Sequence, residues 1–211
     1  MPQTVAVIDY GSGNLHSVAK ALERAGSCRV IVTSDMNEIR FADRVVLPGV
    51  GAMGDCMHGL KDRGLDSVVL DVIQEKPLMG VCVGMQILTE FGEESAGVDA
   101  LGVFPGQITQ FSKSMKCPEG RPLKVPHMGW NDVEIVQDEV IWKDINCIEG
   151  FYFLHSYAFF PDNPETIIGT SNYGLSFICA VRSSNIYGFQ FHPEKSLSNG
   201  LCLLKNFAAL S

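Results

Sequence analysis

The chain has 211 residues, enough for one domain with a full core, and 46% hydrophobic against 19% charged residues exclude global disorder. Sixteen Lys and Arg against 24 Asp and Glu leave a net charge of −8, which excludes a nucleic-acid or anionic membrane surface as the main partner. Seven cysteines (Cys28, Cys56, Cys82, Cys117, Cys147, Cys179, Cys202) fall singly, and neither a signal peptide nor a membrane-length apolar stretch is present, so a single domain over 1–211 in a reducing, cytoplasmic setting is expected.

Thr4 to Asp9 reads as a buried strand, followed by the turn Gly11-Ser-Gly13. Leu15, Val18, Ala19, Leu22 and Ala25 then recur at helical spacing, with Asn14 as N-cap and Gly26 as the stop. Arg29–Thr33 and Arg44–Leu47 are further strands, the latter ended by Pro48-Gly49; a helix is expected over Leu65–Ile73 and a fourth strand over Leu78–Val81. Met85–Phe91 reads as a helix. This alternation predicts an α/β three-layer sandwich, its central sheet mostly parallel with helices on both faces. The second half is strand-rich, at Gly106–Phe111, Leu123–Val125, Asp132–Val136, Phe151–Tyr157, Ile167–Ser171 and Phe177–Val181, and predicts a mixed or antiparallel extension. Ser112–Pro122 is the expected long loop, and Leu197–Leu210 a closing amphipathic helix.

The strongest chemical signal is Gly80-Val-Cys82-Val-Gly84, a nucleophile elbow with Cys in place of Ser, at a strand-to-helix junction. Glycines on both sides let the neighbouring backbone approach, and the start of the helix, with the Val83 amide, would favour a thiolate and offer N–H groups to an oxyanion. Any of the other six cysteines is better read as a small buried hydrophobe. A thiolate needs a base and a group to orient it. His192 ends an apolar strand at Gly188-Phe-Gln-Phe-His192-Pro-Glu194, where Pro193 stops the ladder and Glu194 can hold the imidazole. His127 and His155 also lie near strand ends, whereas His16 on the first helix and His58 after a Gly-rich turn are read as structural. Gly49, Val50 and Gly51, after the third strand, form either a tight βα turn or a mobile loop whose N–H faces a developing oxyanion. His16 occupies the third glycine position of a dinucleotide fingerprint and no P-loop is present; no cofactor and no metal site are expected.

These residues resemble the class I, triad-type glutamine amidotransferases, and among them the glutaminase subunits of two-chain synthases of histidine biosynthesis. The resemblance runs through Ile8-Asp-Tyr-Gly11, Gly13-Asn14-Leu15, Leu47-Pro-Gly-Val-Gly-Ala52, Gly80 to Gln86, Lys124-Val-Pro-His-Met-Gly-Trp-Asn131, Phe153-Leu-His-Ser-Tyr157 and Gln190 to Ser196. It implies that Cys82 attacks the side-chain amide of L-glutamine, His192 carries the proton to the leaving ammonia, and Glu194 orients His192. It further implies a glutamine pocket with Gln86, Glu94 and Ser156, and delivery of ammonia to a (β/α)₈-barrel cyclase in a heterodimer. Asn14, Met128, Trp130 and Lys195 match positions at that docking face; read alone they are surface or turn residues, and Asn14 a helix cap.

Val83 and Thr89 depart from the residues common at their positions, which leaves open a paralogue feeding ammonia to a different synthase. Two further readings stand beside it: a non-catalytic binding member of the same fold, and a thiol hydrolase acting on another substrate. Intact Cys82, His192 and Glu194 argue against the former, and Gln86 with the Pro-Gly-Val-Gly turn favours a small amide over the latter.

Overall fold

The computed structural model describes residues 3–26, 28–146 and 149–210, so Cys147 lies outside the described residues. The first half alternates as expected: β1 (Thr4–Ile8), α1 (Leu15–Ala25), β2 (Arg29–Thr33), α2 (Met36–Phe41), β3 (Arg44–Gly49), α3 (Met53–Asp62), α4 (Leu65–Val72), β4 (Leu78–Cys82) and α5 (Val83–Gln86). There follow β5 (Thr89–Gly92), β6 (Val98–Asp99), β7 (Phe104–Gln110), β8 (His127–Asn131), β9 (Glu134–Ile135), β10 (Phe151–His155), β11 (Tyr157–Pro161), β12 (Ile167–Asn172), β13 (Ser176–Ser183), β14 (Ile186–Phe189) and α6 (Leu197–Ala208).

Twelve strands form one sheet in the order β2-β1-β3-β4-β14-β13-β11-β7-β5-β6, with β12 and β9 attached through β13. The five strands from β2 to β14 are mutually parallel and the remainder mostly antiparallel. That is the mostly parallel centre with a mixed extension expected above. The chain steps from β1 to β2 in one direction and from β2 across to β3 in the other. Right-handed crossovers therefore put α1 on one face and α2 on the opposite one. Consistently, α1 packs on α6, while α2, α3 and α4 pack among themselves.

Several expectations are corrected. Met85–Phe91 is a single helical turn, α5, because the Thr89 Oγ1 hydroxyl caps the Gln86 carbonyl at 2.7 Å and Thr89 to Gly92 pair with β7 instead. Leu123–Val125 is not a strand; Pro122 and Pro126 flank it and remove ladder donors. Phe151–Tyr157 divides at Ser156 into β10, which pairs with β8 in a separate two-stranded ribbon, and β11, which joins the main sheet. Asp132–Val136 shrinks to the two-residue β9, while His127–Asn131 supplies a strand that was not expected. Short helices α2 and α3 were also missed; the Asp35 carboxylate caps the first by accepting from the Asn37 and Glu38 amides. Asn14 stands at the N-cap of α1 and accepts the Val18 N–H at 3.0 Å through its carbonyl, but its side chain makes no capping bond. No helix among the described residues is long and apolar enough to cross a membrane.

Candidate active site

Because β1, β3, β4 and β14 are parallel, the loops after them open at one edge of the sheet. These are Tyr10–Gly13, Gly49–Ala52, the elbow at Cys82, and Gln190–Glu194. Strand order reverses between β1 and β3, and a crevice at such a reversal, outside the carboxyl ends of the strands, is where open α/β sheets bind ligands. The registers Gly49↔Cys82 and Phe189↔Val81 bring Cys82 between the Gly49 loop and the His192 segment.

Cys82 sits at φ 54°, ψ −113°, a positive-φ backbone that non-glycine residues avoid. The neighbouring glycines hold it there by letting main chain meet main chain. A Cβ on Gly84 would stand 1.8 Å from the Leu47 carbonyl oxygen, one on Gly49 2.5 Å from the Gly84 amide nitrogen, and one on Gly80 2.7 Å from the Gly84 carbonyl oxygen. The elbow is thus seated directly on β3. Behind it α5 has one turn only, so it contributes the unpaired N–H groups of its first residues rather than an extended macrodipole.

The charge that a thiolate needs comes from His192. Its Nδ1 lies 2.9 Å from the Glu194 Oε1, with both side chains buried. The other oxygen of that carboxylate, Oε2, is buried with no hydrogen-bond partner among the described residues. Burial opposes charge on His192, but hydrogen bonds and electrostatic attraction from Cys82 and Glu194 outweigh it and the imidazole is pushed up to about 10. The ring is therefore disposed to hold a proton between the Cys82 sulfur and the carboxylate.

Gln190 was missed at the sequence level. It is fully buried, its Nε2 lies 3.9 Å from the Cys82 sulfur, and its Oε1 accepts from the Gln86 Nε2 at 3.0 Å. A signal existed, since Gln190 opens the Gln190–Ser196 segment that carries the resemblance and stands two residues before His192.

Cys82 opens into a cavity of about 240 Å³ whose wall includes Val50, Gly51, Val83, Gln86, Glu94, Ser156 and His192. Glu94 is half-buried, and its Oε2 accepts the Met53 N–H at 2.5 Å at the start of α3. The Leu154 carbonyl oxygen lies 3.8 Å from the Cys82 sulfur. The loop after β3 is clamped on either side of the Gly49–Val50 peptide: the Tyr10 hydroxyl donates to the Pro48 carbonyl at 2.6 Å, and the Ser12 hydroxyl to the Val50 carbonyl at 2.9 Å. Tyr10 lies within a segment that carries the resemblance, but no local pattern assigns it or Ser12 a role, because their partners stand 38 residues on in the chain.

Of the residues expected on a docking face, Met128 and Trp130 are 66% and 48% exposed on β8. Lys195 is exposed with its Nζ 5.6 Å above the Tyr152 ring, which meets the Trp130 ring edge-on at 6.3 Å; Asn14 begins α1, which packs on the turn carrying Lys195. Trp130, Tyr152 and Lys195 thus form one surface beside His192, whose main-chain N–H donates to the Tyr152 carbonyl at 2.8 Å. His16 and His58 are exposed on α1 and α3, and neither lines the cavity beside Cys82.

The family model for class-I glutamine amidotransferases matches residues 6–209. The chain is 54% identical over 207 residues to the imidazole glycerol phosphate synthase subunit HisH of Pseudomonas putida, covering 98% of this chain and 97% of that one. It is 47% identical over 207 residues to the subunit of the same name from Neisseria meningitidis serogroup B, with 96% and 97% covered. Among solved structures, a glutamine amidotransferase crystal structure matches with a TM-score of 0.71 at 16% identity, over 98% of this chain and 99% of that one. PurLQS from Thermotoga maritima matches at 0.72 and 17%, over 98% of each chain. At those identities the structural matches establish the fold alone.

Proposed function

The chain belongs to the class-I glutamine amidotransferases, and on that premise we infer that it is the glutamine-hydrolysing subunit of an imidazole glycerol phosphate synthase of histidine biosynthesis. One observation carries the residue assignment: a cysteine on a strained elbow opens into a cavity beside a buried His–Glu pair. The family model spans nearly the whole chain, and one continuous sheet supports a single glutaminase domain.

In this reading the Cys82 thiolate attacks the side-chain amide carbon of L-glutamine. The oxyanion that forms is met by the Val83 N–H and, once its peptide turns toward the site, by the N–H of Val50. His192, protonated through its place between Cys82 and Glu194, gives its Nε2 proton to the departing ammonia as the thioester forms. The neutral ring then takes a proton from water, which attacks the thioester and releases glutamate. Glu194 keeps the ring oriented throughout. Gln86 is held by Gln190 in the cavity wall, and the Glu94 carboxylate offers an anionic partner for the α-ammonium group of the substrate.

Ammonia passes to a (β/α)₈-barrel cyclase docked over Asn14, Met128, Trp130 and Lys195. Unpaired cysteines at each described position fit a reducing cytoplasm. The test is Cys82→Ser in the complex reconstituted with the cyclase: glutamine-dependent synthesis is expected to vanish and ammonia-dependent synthesis to persist, because free ammonia bypasses the thioester. Equal loss of both activities would make Cys82 structural.

A further inference from the structure

Two buried histidines have no part in that chemistry. His127 and His155, 3% and 6% exposed, stand opposite each other at the end of the β8–β10 ribbon, the His127 Nδ1 lying 3.0 Å from the His155 Nε2. Their partners determine where every proton sits. The Tyr157 carbonyl can only accept, so the His155 Nδ1, 2.7 Å away, carries a proton and donates it. In a neutral ring Nε2 is then an acceptor, and the His127 Nδ1–H donates to it. The His127 Nε2 accepts in turn from the Asn131 Nδ2 at 3.3 Å, while the second proton of that amide goes to the Asn172 carbonyl at 2.8 Å. The Asn131 Oδ1 accepts the Asp132 N–H at 2.9 Å. Donors and acceptors match one to one, and the chain runs in a single direction from Asn131 to Tyr157. Neutral rings are what burial dictates, pushing His127 down to about 4 and His155 to about 3.

The two ends of this chain lie in different parts of the machine. One is β8, where outward Met128 and Trp130 alternate with inward His127 and Asn131. The other is Tyr157, across the break at Ser156, which belongs to the main sheet and pairs with Gln110 of β7. Between them runs Leu154–Tyr157, the cavity wall beside the Cys82 sulfur. The side-chain relay therefore carries β8 past the end of its own backbone ladder.

We propose that His127 and His155 are positioning residues, a proton-ordered relay that ties the docking strand β8 to the cavity wall at Ser156, so that partner binding on β8 is felt beside Cys82. This rests on the glutaminase reading, and it predicts that glutamine turnover rises when the cyclase docks.

The readout is the ratio of glutamine turnover in the complex to that of the free subunit. His127→Phe keeps a ring in the stack between Phe153 and Tyr173, 4.9 and 4.0 Å away, but leaves the His155 Nε2 without a donor. It is expected to lower the ratio about tenfold, the scale of one orphaned buried hydrogen-bonding group. His127→Asn, which replaces the donor near the Nδ1 position, should recover most of it. A purely structural role would lower both states alike and leave the ratio unmoved. An unchanged ratio in His127→Phe, a wild-type ratio of one, or failure of Asn to outperform Phe each overturns the proposal, while loss of glutamine turnover in Cys82→Ser independently reports on the glutaminase reading. Should His127→Phe not fold, nitrogen NMR of the wild-type complex at neutral pH decides: both rings must be protonated at Nδ1 and bare at Nε2, and any other tautomer refutes the relay.

Discussion

Replacing Gly84 by alanine places a methyl carbon 1.8 Å from the Leu47 carbonyl oxygen and 2.8 Å from its carbonyl carbon. Neither atom can yield, because β3 is held between β1 and β4 in the middle of the parallel sheet. Real contacts of this kind are not closer than 3.0 Å, so the elbow must rise off β3 by at least about 1.2 Å. Cys82, two residues earlier on the same turn, rises with it and departs from His192 and from the cavity wall. Misplacing a reacting group by about 1 Å costs on the order of 10² in rate, and overpacking of this kind costs about 1–3 kcal/mol of stability. The expected result for Gly84→Ala in the complex is glutamate release slowed about a hundredfold, ammonia-dependent synthesis retained, and a thermal transition lowered by several degrees. Glutamate formation, ammonia-dependent product formation and thermal unfolding are measured on the same preparation. A variant within threefold of wild-type kcat and with an unmoved transition would refute the claim that the glycine seat positions the nucleophile.

Three further outcomes are expected. A glutamine-derived electrophile should label Cys82 ahead of the other cysteines, since burial pushes the Cys28, Cys179 and Cys202 thiols up; peptide mapping that finds Cys56 or Cys117 labelled first contradicts this. Trp130→Ala should weaken association with the cyclase by more than about 1 kcal/mol, read as a dissociation constant, and lost stability with unchanged affinity would assign the ring to the core instead. His127 and His155 have folded values of about 4 and about 3 against about 6.5 unfolded, so as pH falls below 6.5 the unfolded chain binds more protons and stability is lost. At pH 5 this amounts to about 2 kcal/mol per ring, so His127→Phe should shrink the pH 7-to-5 drop in unfolding free energy by about 2 kcal/mol, and equal drops would contradict the burial of a neutral His127.

What the sequence determined by itself was local. Strand β1, helix α1 and strand β2 follow from apolar period and a terminal glycine, and the elbow from glycines whose missing side chains are a steric requirement within one turn. The pairing of His192 with Glu194 is likewise legible, since a bond between residues two apart needs no long-range contact. The β-branched and aromatic residues of Thr89–Gly92 were outweighed by helical spacing that only pairing with β7 overruled. Nothing local joins Cys82 to the Gln190–His192 segment more than a hundred residues on; the parallel register of β4 with β14 does. The same holds for His127 and His155, which stood as two unrelated strand-end histidines until the β8–β10 ribbon set them opposite one another. Hydrophobic period and backbone sterics act over a few residues and are written in the chain. Strand register is decided by the competition among all possible pairings and burials, and so belongs to the tertiary structure alone.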